Sequence, residues 1–204
     1  MILYDAPIAP NPRRVRWVVA EKAITDIEIV RWDLADGAHK TADFVAKTGT
    51  AQLPVLELDD GSMLTESLAI CRYLESLYPE PNLFGRDARE MAMIEMWTRR
   101  AEMMVAIPFM HAVRHLAPAL AALERQDPAV GGRNRDDGLA ALHILDNQLT
   151  RSRWLAADRP TIADIVAFIG IDFTRLLRLP IPENLTHLRR WMAAMRERPA
   201  AAVR

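Results

Sequence analysis

The chain has 204 residues, 50% of them hydrophobic and 26% charged, with 26 Lys and Arg set against 27 Asp and Glu. A formal net charge of −1 with so large an apolar fraction excludes a disordered chain and argues against a dedicated nucleic-acid binder, which carries a basic excess. The single cysteine excludes an internal disulfide and a multi-cysteine zinc site, and it fits a reducing compartment. The opening Met-Ile-Leu-Tyr-Asp lacks a basic region followed by an apolar one. No apolar run approaches the ~18 residues that a membrane span requires. The expectation is a cytoplasmic protein without a membrane partner.

Ile2 to Tyr4 reads as a short strand. Asn11-Pro12 then reads as a helix start, with Asn as N-cap and Pro at the first helical position, and Val15, Val18 and Val19 follow at helical spacing. Ile27 to Arg31 is β-rich, and Thr41 to Lys47 fits a short helix. Pro54 to Leu58 reads as a strand that returns through an Asp60-Gly61 turn to Ser62–Leu64. Glu66-Ser67 opens a helix with Ile70, Tyr73, Leu74 and Leu77 on one face. The order β-α-β-α-β-β-α describes a compact α/β layer.

The Pro-rich run Tyr78-Pro79-Glu80-Pro81-Asn82 breaks that helix. Beyond it only helices are expected. One runs from Arg89 to about His115, kinked or divided at Pro108. A further helix follows the Gly131-Gly132-Arg133-Asn134 stretch, which reads as a separator. Another starts at Thr161, and the last covers Leu185 to Arg196. The expected organisation is an α/β domain over 1–78, a linker over 79–88 and an all-helical bundle of about five helices over 89–204.

The chemistry-bearing stretch is Gln52-Leu53-Pro54-Val55-Leu56 with Thr65-Glu66-Ser67 beyond the hairpin. A cis Leu53–Pro54 bond would turn the Leu53 main chain outward, where its N–H and C=O can pair with an extended peptide. The helix N-terminus at Ser67 offers amides and a hydroxyl to a carboxylate, and Glu66 can accept from an ammonium. Together these groups describe a receptor for the γ-glutamyl end of a small peptide.

On these residues the sequence resembles the cytosolic glutathione transferases, of the bacterial theta- or nu-like kind. The stretch from Gln52 to Leu74 resembles their glutathione-binding core, Pro160–Asp164 their helix-capping motif and Leu188–Ala200 their C-terminal helix. The resemblance implies a thioredoxin-like N-terminal domain joined to an all-α C-terminal domain. It implies glutathione as co-substrate at Gln52, Leu53, Glu66 and Ser67, with Pro54 shaping the site. His39 and Lys40 fall in the loop that supplies a cation to the glycine carboxylate. It also implies a small apolar electrophile as second substrate and a homodimer.

The family activates the glutathione thiol with Tyr, Ser or Cys near the first strand–helix turn. Here Ala9 or Pro10 stands where Ser or Cys is expected, and neither side chain donates. Asn11, whose amide N–H₂ is a donor, is the substitute, with Arg13, Arg14 or first-turn amides as assistants. Asn11 is equally a favoured N-cap. Tyr4 reads as a packing residue and Cys71 as a buried apolar one. Met91, Met93, Met96, Met103, Met104 and Met110 read mostly as core, and Trp97, Arg100 and Met104 as one helix face. His111, His115 and His143 lack metal-ligand companions, so no metal is expected. Two classes of function stay open. One is a glutathione transferase that conjugates an electrophile or reduces a peroxide. The other is a non-catalytic module of the same fold that holds a ligand or a protein.

Overall fold

The computed structural model describes residues 1–203. Four strands form one mixed sheet in the order β2-β1-β3-β4, where β1 is Ile2–Asp5, β2 Glu28–Arg31, β3 Val55–Glu57 and β4 Met63–Thr65. β1 runs parallel to β2 and antiparallel to β3, and β3 pairs antiparallel with β4. The parallel pair requires a crossover, which helix α1 (Pro10–Glu21) supplies. The β3–β4 hairpin closes at Asp60-Gly61, where Gly61 takes φ 82° and Asp60 Oδ1 accepts from the Ser62 amide at 2.9 Å.

Side chains alternate along β1, so Leu3 and Asp5 are buried on one face and Tyr4 points to the other. Leu3 and Leu56, paired opposite each other, belong to a core with Val15, Val18, Ile70, Cys71 and Leu74. It is built by the sheet, α1 and α3 (Ser67–Leu77). On the other face the Tyr4, Trp32 and Phe44 rings cluster with centroids 4.8–5.8 Å apart, Phe44 coming from α2 (Ala42–Thr48). The chain leaves this layer under a clamp. Buried Lys22 donates to Tyr78 O (2.7 Å) and Pro81 O (2.8 Å) and pairs with Glu75 at 2.6 Å.

The chain divides into two compact units between Pro81 and Asn82. The segment beginning at Pro199 groups with the first unit, where Arg13 Nη2 donates to Ala201 O at 3.2 Å.

The second unit is built of α4 (Ala88–Arg100), α5 (Ile107–Leu116), α6 (Pro128–Leu149), α7 (Ile162–Phe173) and α8 (Thr186–Arg196). α7 is its centre and is buried from Ile162 to Ile171. Gly170 lets it approach closely, because a Cβ there would lie 2.6 Å from Ala106. At its N-terminus, buried Asp164 accepts from the amides of Thr161 (2.9 Å) and Leu155 (3.0 Å) and from Trp191 Nε1 (2.9 Å). This completes the expected capping box.

Three expectations are corrected in this unit. The segment before Pro108 is neither a kink nor a break but a π-helical turn, Ala101–Ala106, that passes into α5. Proline lacks the amide that would continue the α ladder, and a wider turn accommodates the loss. Gly131-Gly132-Arg133-Asn134 is not a separator but lies inside α6, which Asp127 caps with Pro128 at its first position. A Cβ at Gly131 would collide with Leu116 and one at Gly138 with Phe109, so these glycines permit close helix packing. The methionines are mostly not core: Met91, Met93, Met103 and Met104 are exposed, and Met96 and Met110 half-buried. The buried stripe is Ile94, Trp97, Ala101 and Val105, which leaves the methionines on its flanks.

Arg159 braces the start of α4. Its guanidinium meets both Glu90 oxygens, at 2.6 and 3.0 Å, and this pairing holds the Glu90 carboxyl down at about 2, below its ordinary 4.5. A depressed carboxyl contributes stability above its unfolded pKa and loses it as pH falls toward the folded one. Glu90→Gln is therefore expected to lower stability by about 1 kcal/mol near neutral pH, with the gap to the parent closing as pH falls from about 4.5 toward 2. Urea unfolding across that range checks it, and a gap independent of pH would contradict it.

Candidate functional site

Three chain reversals of the first unit build the site, one after β1, one before β3 and one after β4. The first follows β1. The Arg16 guanidinium, almost fully buried, pairs through Nη1 with the Asp5 carboxylate and donates to Ala6 O (3.3 Å) and Pro7 O (2.9 Å). These bonds fix the loop that delivers α1. The helix starts two residues earlier than the sequence suggests: Ala9 is the N-cap, with no side-chain bond, and Pro10 is the first helical residue. Asn11 is therefore not the cap but lies in the first turn. Proline at position 10 fixes a helical φ and needs no acceptor for a missing amide, so the helix begins there. Asn11 Oδ1 is shielded from solvent and has no hydrogen-bond partner among the described residues.

The second reversal is the Leu53–Pro54 peptide, which is cis. Val55, facing Tyr4, is the first β3 residue paired with β1, so the Leu53 main chain stands outside the paired ladder. Thr50 shapes the approach: its Oγ1 accepts from the Gln52 amide at 3.2 Å, and its carbonyl accepts from Thr48 Oγ1 at 2.8 Å. The third reversal joins β4 to α3. Glu66 holds φ 65° and ψ 115°, and α3 begins at buried Ser67. The first amides of this eleven-residue helix have no intrahelical acceptor.

Asn11, Thr50, Gln52, Leu53, Pro54, Thr65, Glu66 and Ser67 line one cleft of about 20 Å³. That is room for roughly one water, so a peptide would lie across it rather than inside it. The expected residues Asn11, Gln52, Leu53, Pro54, Glu66 and Ser67 are thus gathered at one place. Thr50 and Thr65 are added. Thr65 adjoins the motif in sequence, whereas nothing in the sequence singles out Thr50. His39 and Lys40 do not line the cleft. They sit on a 3₁₀ turn, Ala38–Lys40, with His39 buried and Lys40 exposed. Burial, and secondarily the Lys40 charge, lower the His39 imidazole below its ordinary 6.5, so near neutral pH His39 is an uncharged ring and Lys40 the cation of this turn.

The side chains able to compete as thiol activators are committed elsewhere. The Tyr4 hydroxyl donates to Glu57 Oε2 at 2.7 Å, a bond that raises its pKa, while Lys47 Nζ holds the same oxygen at 2.9 Å. Cys71 is fully buried, and desolvation pushes its thiol up to about 12, so it is no nucleophile. In the second unit Arg100 lies 4.8 Å over the Trp97 ring, while Met104 is exposed. A larger open groove of about 590 Å³ lies between the C-terminal end of α6 and α8, with Arg151, Arg153 and Arg190 among its lining. It contains none of the expected site residues, and Arg190 is bonded to Leu149 O at 2.8 Å, where it caps the end of α6. The smaller cleft holds the convergent polar groups. Among the described residues no group of three or more His, Cys, Asp or Glu is placed to hold a metal ion, and no helix is long and apolar enough to cross a membrane.

Comparison with known proteins agrees with this geometry. Residues 3–82 match the family model for the glutathione S-transferase N-terminal domain, and residues 133–199 that for the C-terminal domain. The chain belongs to the glutathione S-transferase family. Glutathione S-transferase 2 of Saccharomyces cerevisiae is 36% identical over 98% of this chain and 87% of its own. The crystal structure of Gtt2 from that yeast superimposes with a TM-score of 0.90, covering 98% of both chains. A glutathione S-transferase domain-containing protein of Marinobacter aquaeolei VT8 gives 0.89 at 38% identity, over 98% of this chain and 99% of that one. The transferase therefore has the thioredoxin-like N-terminal domain and helical C-terminal domain that the resemblance implied.

Glu66 carries a testable cost. A non-glycine residue at φ 65° with ψ 115° lies outside the common left-handed well. Glu66→Gly is expected to leave stability unchanged or raise it by about 1 kcal/mol, because relief of strain offsets glycine's backbone entropy. It is also expected to weaken glutathione binding by roughly tenfold through loss of a carboxylate partner. Urea unfolding and calorimetry read the two effects, and destabilisation by more than about 1 kcal/mol would show an unstrained backbone there.

Proposed function

We propose that this transferase binds glutathione across the cleft and promotes attack of its thiolate on a small apolar electrophile: a carbon–sulfur bond forms while the leaving group departs with the electron pair of the bond that breaks. Leu53 pairs with the peptide backbone as a strand would. Gln52 lies beside it at the rim. The γ-glutamyl carboxylate sits on Ser67 and the first amides of α3, and Glu66 accepts from the ammonium. Lys40 supplies a point charge toward the glycine carboxylate, with His39 behind it as a packing ring. The same thiolate would serve peroxide reduction by attacking a peroxide oxygen: the O–O bond breaks, the alcohol leaves, and a second glutathione converts the resulting glutathione sulfenic acid to the disulfide and water.

A free thiol has a pKa of roughly 8.5, so little of it is nucleophilic near neutral pH. Asn11 supplies what Ala9 and Pro10 cannot. Its amide lies in the first turn of α1, where the helix dipole favours negative charge, and it lines the same cleft as Ser67. The observation that carries the reading is the Asn11 oxygen without a partner among the described residues. The amide is uncommitted and can rotate its Nδ2 donor toward sulfur.

Ultraviolet titration of bound glutathione tests this. The bound thiol is expected to titrate well below its free value, and Asn11→Ala to move it back up by about one unit, the size of one hydrogen bond to a charged group. A bound pKa equal to the free value would overturn the enzymatic reading. A lowered pKa indifferent to Asn11→Ala would transfer the role to the α1 amides.

We also propose a cytoplasmic homodimer as the working form. Exposed Met91 and Met93 on α4 are apolar surface that a second copy would cover. Sedimentation at micromolar concentration is expected to give the mass of two chains, and a monomer mass counts against it.

A further inference from the structure

Arg14 is about 1% exposed, on the face of α1 that packs against α3, and its Nη1 lies 3.3 Å from Ser67 Oγ. A guanidinium only donates, so Ser67 accepts that bond. A serine hydroxyl has one proton to give. With a lone pair turned inward to Arg14, its O–H is left to point outward into the cleft that Ser67 lines. Ser67 is also the first residue of α3, so its hydroxyl stands among the unpaired amides of the helix N-terminus. A ligand carboxylate placed there would meet the serine hydroxyl and the first-turn amides. Beneath them lies a buried positive charge that solvent screens weakly.

We infer that Arg14 is a positioning residue for ligand recognition, acting through Ser67 to hold its hydroxyl proton toward the α-carboxylate of the γ-glutamyl group. This rests on the proposed glutathione site and adds a residue that never touches the ligand. It also explains how the cleft attracts an anion although Glu66, on its rim, is itself acidic and exposed. The compensating cation lies underneath the site, where it cannot pair with Glu66 in solvent. A lysine would not replace it: a compact ammonium offers a charge without the planar fork through which Nη1 reaches Ser67.

Two ligands separate this role from a structural one. Glutathione carries the α-carboxylate, and 4-aminobutanoyl-cysteinylglycine lacks only that group. Calorimetry on the full chain is expected to show Arg14→Met and Ser67→Ala each weakening glutathione by roughly tenfold or more, the loss associated with a hydrogen bond to a charged group. Both should change the affinity for the decarboxylated analogue by less than about threefold, and Arg14→Met should add little once Ser67 is alanine. If Arg14→Met does not fold, Arg14→Lys and Ser67→Ala carry the same contrast. Equal losses for both ligands in Ser67→Ala, or fully additive losses in the double variant, would overturn the inference while leaving the glutathione site standing. Failure of the parent protein to bind glutathione would overturn both.

Discussion

The site depends on how α1 disposes of two buried guanidinium groups. Arg14 and Arg16 are each about 1% exposed, and a buried charge without partners is not tolerated. Arg16 satisfies this with the Asp5 carboxylate and the carbonyls of Ala6 and Pro7, which ties the end of β1 to the loop before α1. Arg14 reaches the other way, to Ser67 at the start of α3. One helix therefore fixes both the turn that carries Asn11 and the turn that carries Ser67. Removing one partner of a buried ion pair such as Arg16–Asp5 typically costs about 3–5 kcal/mol, and a hydrogen bond from a charged group such as Arg14–Ser67 contributes about 1.5–3 kcal/mol, so both ties resist displacement of the two turns.

That rigidity matters because the cleft contains no strong catalytic side chain. Tyr4 is bound to Glu57, Cys71 is buried with its thiol pushed to about 12, and Ala9 and Pro10 have nothing to donate. What the proposed function leaves is placement: a sulfur set against a helix N-terminus and one amide side chain, with the rest of the tripeptide held by main-chain groups. Neutral donors and helix ends lower a thiol's pKa only when they are aimed at it before the ligand arrives. On the proposed function the chemistry is carried by geometry in the first unit, and the sulfur that reacts is the ligand's.

Much of this was legible in the sequence where local chemistry decides structure. Asp60-Gly61 announces its hairpin, Thr161 and Asp164 their capping box, and the Gln52–Ser67 stretch its place in the cleft. Errors arise where two local rules compete or tertiary packing decides. Asn11 is a better N-cap than Ala9 by propensity, yet Pro10 sets the helix start two residues earlier. Gly131 and Gly132 read as a break, but Gly131 and Gly138 are where α6 meets Leu116 and Phe109. His39 reads as a cation, but burial leaves it neutral. The bond from Arg14 to Ser67 spans 53 positions, and no spacing rule connects them.

The central claim is that glutathione lies with its sulfur at the first turn of α1 and its γ-glutamyl carboxylate at the first turn of α3. A crystal structure of the protein with glutathione tests this most directly. The account predicts the sulfur within hydrogen-bonding reach of Asn11 Nδ2, at most about 3.5 Å, and the carboxylate on Ser67 Oγ and the α3 amides. Glutathione bound in the arginine-lined groove beside α8, or with its sulfur turned away from Asn11, would contradict it.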